Sequence, residues 1–171
     1  MKRICGLLLC GMIAVFIQGA LLHCGLKAYL MPQLVILLVV YLAFHEVNAV
    51  VTFVVFGLGL LLDFSSAILV GPWAGALVAI YGVLAVLSQR LFVESSFVAC
   101  ITAFFAALAA DVLYLGLAYQ YQPDGASYPV EAIGQAFVTG LLAPLALGIL
   151  SRIFRRKVAN PVGRAAVTTM A

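Results

Sequence analysis

The chain has 171 residues, of which 66% are hydrophobic and 9% are charged, and its formal net charge is +3. Soluble domains carry about a quarter charged residues and about half apolar ones. This composition, with a mean hydropathy of +1.23, therefore excludes a soluble globular domain and predicts an integral membrane protein. Basic and aromatic side chains are also too sparse for nucleic-acid binding.

Six apolar segments follow one another along the chain, and we expect each to form a helix. A membrane-spanning helix needs roughly 20 apolar residues, so the length allows about six spans with short connections. The predicted ranges are 4–22, 31–44, 49–62, 71–88, 97–118 and 130–150. The expected fold is an all-α polytopic bundle of about six transmembrane helices. It occupies one domain, residues 1–158, followed by a disordered cytoplasmic tail, residues 159–171.

The first segment begins with Lys2 and Arg3 and could pass for a secretory signal. Its apolar run extends to Leu22, which is long enough to span a membrane. Leu9, before Cys10, is too large for a lipoprotein cleavage site. We therefore expect this segment to remain as the first transmembrane helix.

The second and third segments are each shorter than the bilayer is thick. Pro32 suits the first turn of a helix, and the polar residues 45–48 separate the two segments. Two arrangements remain open. Either each segment extends through its polar flanks, which gives six spans, or the pair forms a re-entrant hairpin, which leaves four. We favour six spans.

Charge placement predicts the orientation. With a cytoplasmic N-terminus and six crossings, both termini are cytoplasmic, and Lys27 is the only one of the nine Lys and Arg residues on the outer side. This bias follows the positive-inside rule. The inner cluster of Arg152, Arg155, Arg156 and Lys157 is expected to bind the membrane surface as a stop-transfer anchor. A docking site for a cytoplasmic partner is the alternative.

Small residues recur at every fourth position in the last three segments, where they let another helix backbone come close. The stripe on the sixth segment includes Gly140 and Pro144, and the proline should kink the helix. Gly71 and Gly75 lead into Ala79 on the fourth segment. Packing inside the bundle is the first expectation for these stripes. Packing against another protein is the alternative, which makes Gly71, Gly75, Gly140 and Pro144 candidate partner contacts.

Two carboxylates lie within apolar segments, where a charge costs roughly 2.5–3.5 kcal/mol at the bilayer centre. Asp111 is predicted to point into the bundle and make a buried structural hydrogen bond. Asp63 ends the third segment, where Ser65, Ser66 and nearby amide groups could satisfy its oxygens while it stays hydrated. It is expected either to hydrogen-bond the turn into the fourth segment or to form a polar site for a partner helix or ligand. A proton or ion relay is a third alternative.

Motifs for catalysis are not found in the sequence. His45 and Glu46 are adjacent, but neighbours on a helix do not face each other. No HExxH, GxSxG or SxxK motif and no glycine-rich phosphate loop occurs. The four cysteines lack the spacing of a zinc site and are expected to pack as small apolar residues. The sequence therefore predicts a protein that is not an enzyme and has neither a metal nor a cofactor.

Residues 31 to about 120 resemble the rod shape-determining protein MreD family in order and spacing. The matching stretches are MPQLVILLVVYLAF, HEVN, GLLLDFSSAILVG and LAVLSQRLF. The GLLLD element, followed by a small-residue turn and a glycine, is the most specific of them. The family usually has an acidic residue after the proline of the second helix, where this chain has Gln33.

The resemblance implies a non-enzymatic inner-membrane subunit of the bacterial cell-elongation complex. Such proteins link MreC, the MreB filament and the wall synthase formed by RodA with a class B penicillin-binding protein. MreC is the first partner we expect, with the turn at Asp63, Ser65 and Ser66 helping to receive its membrane segment. The resemblance also implies a bundle akin to the substrate-capture subunits of energy-coupling-factor transporters. The alternative function is therefore a transporter component that captures a vitamin-type small molecule.

Overall fold

The computed structural model describes residues 2–23, 30–66, 71–88, 96–118 and 129–154. This part of the chain is helical and contains no strand, so the all-α prediction is confirmed. Its six helices are α1 (Lys2–His23), α2 (Leu34–His45), α3 (Ala49–Ser66), α4 (Pro72–Ser88), α5 (Ser96–Ala118) and α6 (Pro129–Phe154). The predicted disordered tail and the basic residues Arg155, Arg156 and Lys157 lie outside the described residues.

Helix α2 forms the centre of the bundle. Every residue from Val35 to Ala43 is at most 4% exposed, and the helix contacts each of the other five. Its unbroken run of aliphatic residues fits this burial, since a helix that is apolar on all sides lies either in a protein core or across a membrane. Its 12 residues rise only about 18 Å, less than the roughly 30 Å hydrocarbon core of a bilayer. The predicted extension through polar flanks therefore does not occur in α2.

The extension does occur in α3, which runs four residues beyond its predicted end and includes Asp63. The connection between α2 and α3 is closed by a side chain of α4. The hydroxyl of Tyr81 donates to the carbonyl of Glu46 at 2.9 Å, and the backbone N–H of Asn48 donates to the Tyr81 hydroxyl at 3.4 Å. Of the polar break predicted at residues 45–48, His45 is the last residue of α2 and residues 46–48 form a short connection between the helices.

Helix α2 begins later than predicted. Gln33 is its N-cap residue, with φ −85° and ψ 77°, so Pro32 precedes the helix and does not lie in its first turn. The backbone N–H of Gln33 donates to Thr139 Oγ1 on α6 at 2.9 Å. A contact with a distant helix therefore decides where α2 begins.

The five helices around α2 carry large apolar side chains on the outside of the bundle. Phe16, Phe53, Phe64, Phe97 and Leu141 are each more than 60% exposed. Two of the described helices are long and apolar enough to cross a membrane by length and composition, over Phe97–Leu117 of α5 and Glu131–Ile153 of α6. The number of crossings stays a prediction.

The largest helix interfaces join α3 to α4 and α5 to α6. On α6, Gly140 is buried against α5, and a Cβ atom there would lie 3.0 Å from the carbonyl oxygen of Cys100. On α5, Ala103 and Ala107 are fully buried and lie in line with Asp111. Internal packing is therefore confirmed for the α5 stripe and for Gly140 on α6, whereas Gly148, at the end of the α6 stripe, is exposed with open space around it. Pro144 lies inside the continuous helix α6, and its kink stays a prediction.

The small-residue stripe on α4 faces the other way. Gly75 and Ala79 are exposed, whereas Ala74, Leu77 and Tyr81 are at most 4% exposed. The first expectation, internal packing, is therefore wrong for Ala79. Gly75 is exposed as well, but a Cβ atom there would lie 3.3 Å from Leu117 Cδ1 on α5, so its inner edge does pack within the bundle. The close approach of α4 to α3 depends instead on a glycine of α3, as described below.

Candidate functional site

Asp63 binds the N-terminus of α4. Its side chain is 0% exposed. Oδ2 accepts the backbone N–H groups of Gly71 at 2.9 Å and Ala74 at 3.2 Å, and Oδ1 accepts that of Trp73 at 3.0 Å. The first N–H groups of a helix have no partner within the helix, and the helix dipole favours a negative charge there. The carboxylate of one helix therefore caps the next.

The local sequence of α4 requires a cap from elsewhere. Gly71 is the residue whose carbonyl accepts the first helical hydrogen bond, from Gly75 N at 2.9 Å. A glycine has no side-chain oxygen with which to cap, and its φ of +124° is one that residues with a Cβ atom rarely adopt. Pro72 follows at the first helical position, where its missing N–H leaves nothing to satisfy. Asp63 supplies the oxygens that Gly71 lacks.

Gly59 brings the two helices close enough for this cap. It lies four residues before Asp63, on the same face of α3. A Cβ atom on Gly59 would overlap the Cα atom of Ala74 and lie 2.8 Å from its backbone nitrogen. The stretch GLLLD therefore combines a position of backbone contact with a capping carboxylate one turn later.

Asp63, Ser65 and Ser66, at the end of α3, form what we call the Asp63 corner, and the sequence predictions for it have different outcomes. The prediction that Asp63 hydrogen-bonds the turn into α4 is confirmed, and amide groups do satisfy its oxygens. The expectation that the carboxylate stays hydrated is wrong, because the side chain is completely buried. Ser65 Oγ donates to the carbonyl of Leu61 at 2.8 Å, and the side chain of Ser66 lies outside the described side chains. A partner contact at this corner stays a prediction.

A second polar group joins the start of α2 to α5 and α6. Gln33 Nε2 donates to Asp111 Oδ1 at 2.8 Å and to Gln135 Oε1 at 3.0 Å. Thr139 Oγ1 accepts the backbone N–H of Gln33 and donates to the carbonyl of Gln135 at 2.7 Å. Gln33, Asp111 and Thr139 are all at most 9% exposed. The predicted buried hydrogen bond of Asp111 is therefore confirmed.

Gln33 is the central residue of this polar group, and sequence reasoning noted it only as a departure from the MreD pattern. A signal was available, because Gln33 is the one polar side chain between Pro32 and the aliphatic run of α2. A buried polar side chain needs a hydrogen-bonding partner. Gln33 could therefore have been paired with Asp111, which was already expected to be buried.

A cavity of about 720 Å³ lies beside this polar group, and we call it the glutamine cavity. It is lined by residues of α1, α2, α3, α4 and α6 and by Met31 and Gln33 before α2. Its polar lining residues include Gln18, Gln33, Ser65 and Gln135, and its lining includes no charged side chain among the described residues. Within the described part of the chain, Gln18 Oε1, Gln33 Oε1 and Asp111 Oδ2 are buried without a hydrogen-bond partner, and of these residues Gln18 and Gln33 line the cavity.

A smaller groove of about 400 Å³ runs between α4 and α5 on the outside of the bundle, and we call it the α4–α5 groove. Ala79, Val83 and Leu87 of α4 and Ile101 and Phe105 of α5 are among its lining residues. All five side chains are exposed. The groove is apolar apart from Thr102 and contains the exposed end of the α4 stripe.

Among the described residues, no three His, Cys, Asp or Glu side chains lie together as metal ligands. Arg152 is exposed in the last turn of α6. The chemistry that the site offers is hydrogen bonding and apolar packing.

Comparison with protein-family models, with curated proteins and with solved structures found no match for this chain.

Proposed function

We propose that this protein is a non-enzymatic inner-membrane scaffold of the MreD type that acts in bacterial cell elongation. The observation that carries the proposal is the α4–α5 groove, an apolar surface with small residues at helical spacing on the outside of the bundle. Such a surface lets the backbone of another membrane helix approach closely. The resemblance of residues 31 to about 120 to MreD supports the same function.

Several features support a location in the bacterial inner membrane. The large apolar side chains on the outside of the bundle would expose a wide apolar surface to water, which soluble monomers avoid. Helices α5 and α6 are long enough to cross the bilayer. The distribution of Lys and Arg favours cytoplasmic termini, which directs the N-terminus of α4 and the glutamine cavity toward the periplasmic side.

MreC is the partner we assign to the α4–α5 groove, through its membrane-spanning helix. The cap from Asp63 holds the N-terminus of α4 against α3 and thereby gives the groove a defined shape. MreB, RodA and the class B penicillin-binding protein then associate directly or through MreC. Arg152 and the basic residues after it would lie at the cytoplasmic surface, on the side of MreB.

The substitution Ala79→Leu tests this proposal by filling the groove. The tagged protein would be recovered from native membranes in mild detergent, and the retained proteins identified by mass spectrometry. We expect about tenfold less MreC with the variant, since overpacking an interface costs about 1–3 kcal/mol. The matched control is Ala49→Leu, which adds the same volume at an exposed position of α3. Equal recovery of MreC with both variants would contradict the proposal.

Small-molecule capture for a transporter is the second candidate function, and the glutamine cavity is the observation that favours it. Its volume lies within the roughly 300–1,000 Å³ of ligand pockets. The same purification distinguishes the two functions. Recovery of an ATPase pair in place of MreC would make the protein a transporter subunit.

A further inference from the structure

The glutamine cavity offers hydrogen-bond acceptors that the described chain does not use. Both N–H bonds of the Gln33 amide are engaged, one by Asp111 and one by Gln135. Because both acceptors lie on the Nε2 side, they fix which end of the amide is nitrogen. The other end, Oε1, receives no hydrogen bond, although the Gln33 side chain is only 5% exposed. Gln18 Oε1 is a second buried oxygen of the same kind. A buried acceptor without a donor is costly, so the cavity favours a molecule that brings O–H or N–H groups.

The rest of the lining restricts the occupant further. Apolar side chains such as Val15, Leu61 and Leu62 form most of the wall, and no charged side chain of the described chain takes part. An ionised group placed there would lose its hydration without gaining a partner of opposite charge. The described part of the lining therefore suits an uncharged donor group attached to an apolar body.

The position of the cavity indicates where such a molecule enters. Helix α1 packs mainly on α3 and α2, and α6 packs mainly on α5 and α2, yet residues of both α1 and α6 line the cavity. The cavity therefore lies between α1 and α6 on one side. Met12 and Phe16 line the cavity and are also 42% and 74% exposed on the outside of the bundle. This side of the cavity thus borders an apolar surface, which in a membrane faces lipid.

We propose that the glutamine cavity binds an uncharged, hydroxyl-bearing lipid. Its hydroxyl groups donate to Gln33 Oε1 and Gln18 Oε1, and its acyl chain packs on the apolar wall between α1 and α3. The proposal rests on the membrane location proposed above and is independent of MreC and of the α4–α5 groove. Loss of MreC binding would therefore leave it unchanged.

Trp73 provides a direct measurement, because it is the one tryptophan of the chain and it lines the cavity. The full-length protein would be reconstituted in phosphatidylcholine vesicles and titrated with dibrominated monooleoylglycerol, whose bromine atoms quench tryptophan fluorescence on contact. We expect saturable quenching. Dibrominated phosphatidylcholine, which has no hydroxyl donor, should give weaker quenching that rises in proportion to bromine content.

The variant Gln18→Met tests the hydroxyl contact without disturbing the bonds of Gln33. We expect its half-saturation concentration to rise about fivefold, the effect of losing one hydrogen bond. Thr102→Val is the control, since it removes a hydroxyl from the α4–α5 groove and should leave the titration unchanged. Equal quenching by the two brominated lipids, or no effect of Gln18→Met, would overturn the proposal.

Native mass spectrometry of the protein extracted from its own membranes separates the sources of the occupant. A retained mass matching a neutral lipid supports the proposal, and its amount should fall in Gln18→Met. A stoichiometric water-soluble compound would overturn it and support small-molecule capture instead. A protein that fails to insert into vesicles would overturn the membrane location itself.

Discussion

At the scale of a single residue, the carboxylate of Asp63 lies inside an apolar bundle because backbone amides donate hydrogen bonds to it. Asp63 is fully buried, and three N–H groups at a helix N-terminus donate to its two oxygens. Hydrogen bonds to a charged acceptor are stronger than neutral ones. The carboxylate therefore contributes to stability as a cap, and this role requires its charge and both of its oxygens.

Removing that cap should destabilise the protein. We expect Asp63→Ala to lower the free energy of unfolding by about 2–4 kcal/mol, because three amides at the start of α4 lose their acceptor. Asp63→Asn should also destabilise the protein, because one acceptor oxygen remains but the NH2 group replaces the other oxygen and faces a backbone N–H donor. SDS titration in mixed micelles, followed by circular dichroism, measures the effect. The control is Ser65→Ala, an exposed neighbour, which should change stability by less than about 0.5 kcal/mol.

The same two Asp63 variants separate stability from partner binding. When the variant and the parent are compared at the same protein level, the amount of MreC that co-purifies with Asp63→Asn measures whether the Asp63 corner contributes to MreC binding. Unchanged recovery and unchanged rod shape in both variants would show that the corner does not contact MreC.

Asp111 acts in the structure as an acceptor for Gln33, and this role does not require a charge. We expect Asp111→Asn to keep the hydrogen bond and to stay within about 1 kcal/mol of the parent. Asp111→Leu removes one acceptor from the Gln33 amide and should cost about 1–3 kcal/mol. The same unfolding titration measures both. Loss of cellular function in Asp111→Asn with normal stability would instead indicate a proton relay.

Among the helices, the pair α3 and α4 depends on one glycine for its close contact. Gly59→Ala places a methyl group against the backbone of Ala74 and should lower the free energy of unfolding by about 1–3 kcal/mol. Gly57 lies in the same helix, and a Cβ atom added there would have no neighbour within 4 Å, so Gly57→Ala is the matched control. It should be neutral or stabilising by up to about 1 kcal/mol, because alanine favours helix. Equal stability of the two variants would contradict the close contact.

Helix α2 shows how an element can be apolar without facing lipid. It is too short to cross a bilayer alone, and its burial by five neighbours explains why it contains no polar face. Its polar ends are bound by side chains of other helices, Thr139 at Gln33 and Tyr81 at Glu46 and Asn48. The surrounding helices therefore pack around α2 as their common core.

At the scale of the whole molecule, apolar side chains form both the centre and the outer surface of the bundle. Among the described residues, the polar groups at Asp63 and around Gln33 lie toward the same end, where α3 ends and α2 and α4 begin. Tyr81 binds Glu46 and Asn48 at the opposite end of α2. In the proposed orientation this is the periplasmic end, so the glutamine cavity and the capped start of α4 share one side of the membrane.

The sequence by itself determined the all-α class, the six helices and most of their ends. Local signals suffice for these features, because apolar runs, prolines and glycines act within a few residues. The inward position of Asp111 was also predictable, since it lies in line with alanines on one face of α5.

Only the tertiary structure decided which helix lies at the centre and which face of α4 points outward. In a bundle whose exterior is also apolar, hydrophobicity does not distinguish buried from exposed positions. The sequence therefore did not indicate that α2 lies at the centre or that Ala79 is exposed. The dehydration of Asp63 and the pairing of Gln33 with Asp111 depend on residues 8 to 78 positions apart. Such contacts form only when the helices pack, because hydrogen-bond partners are chosen by distance in space.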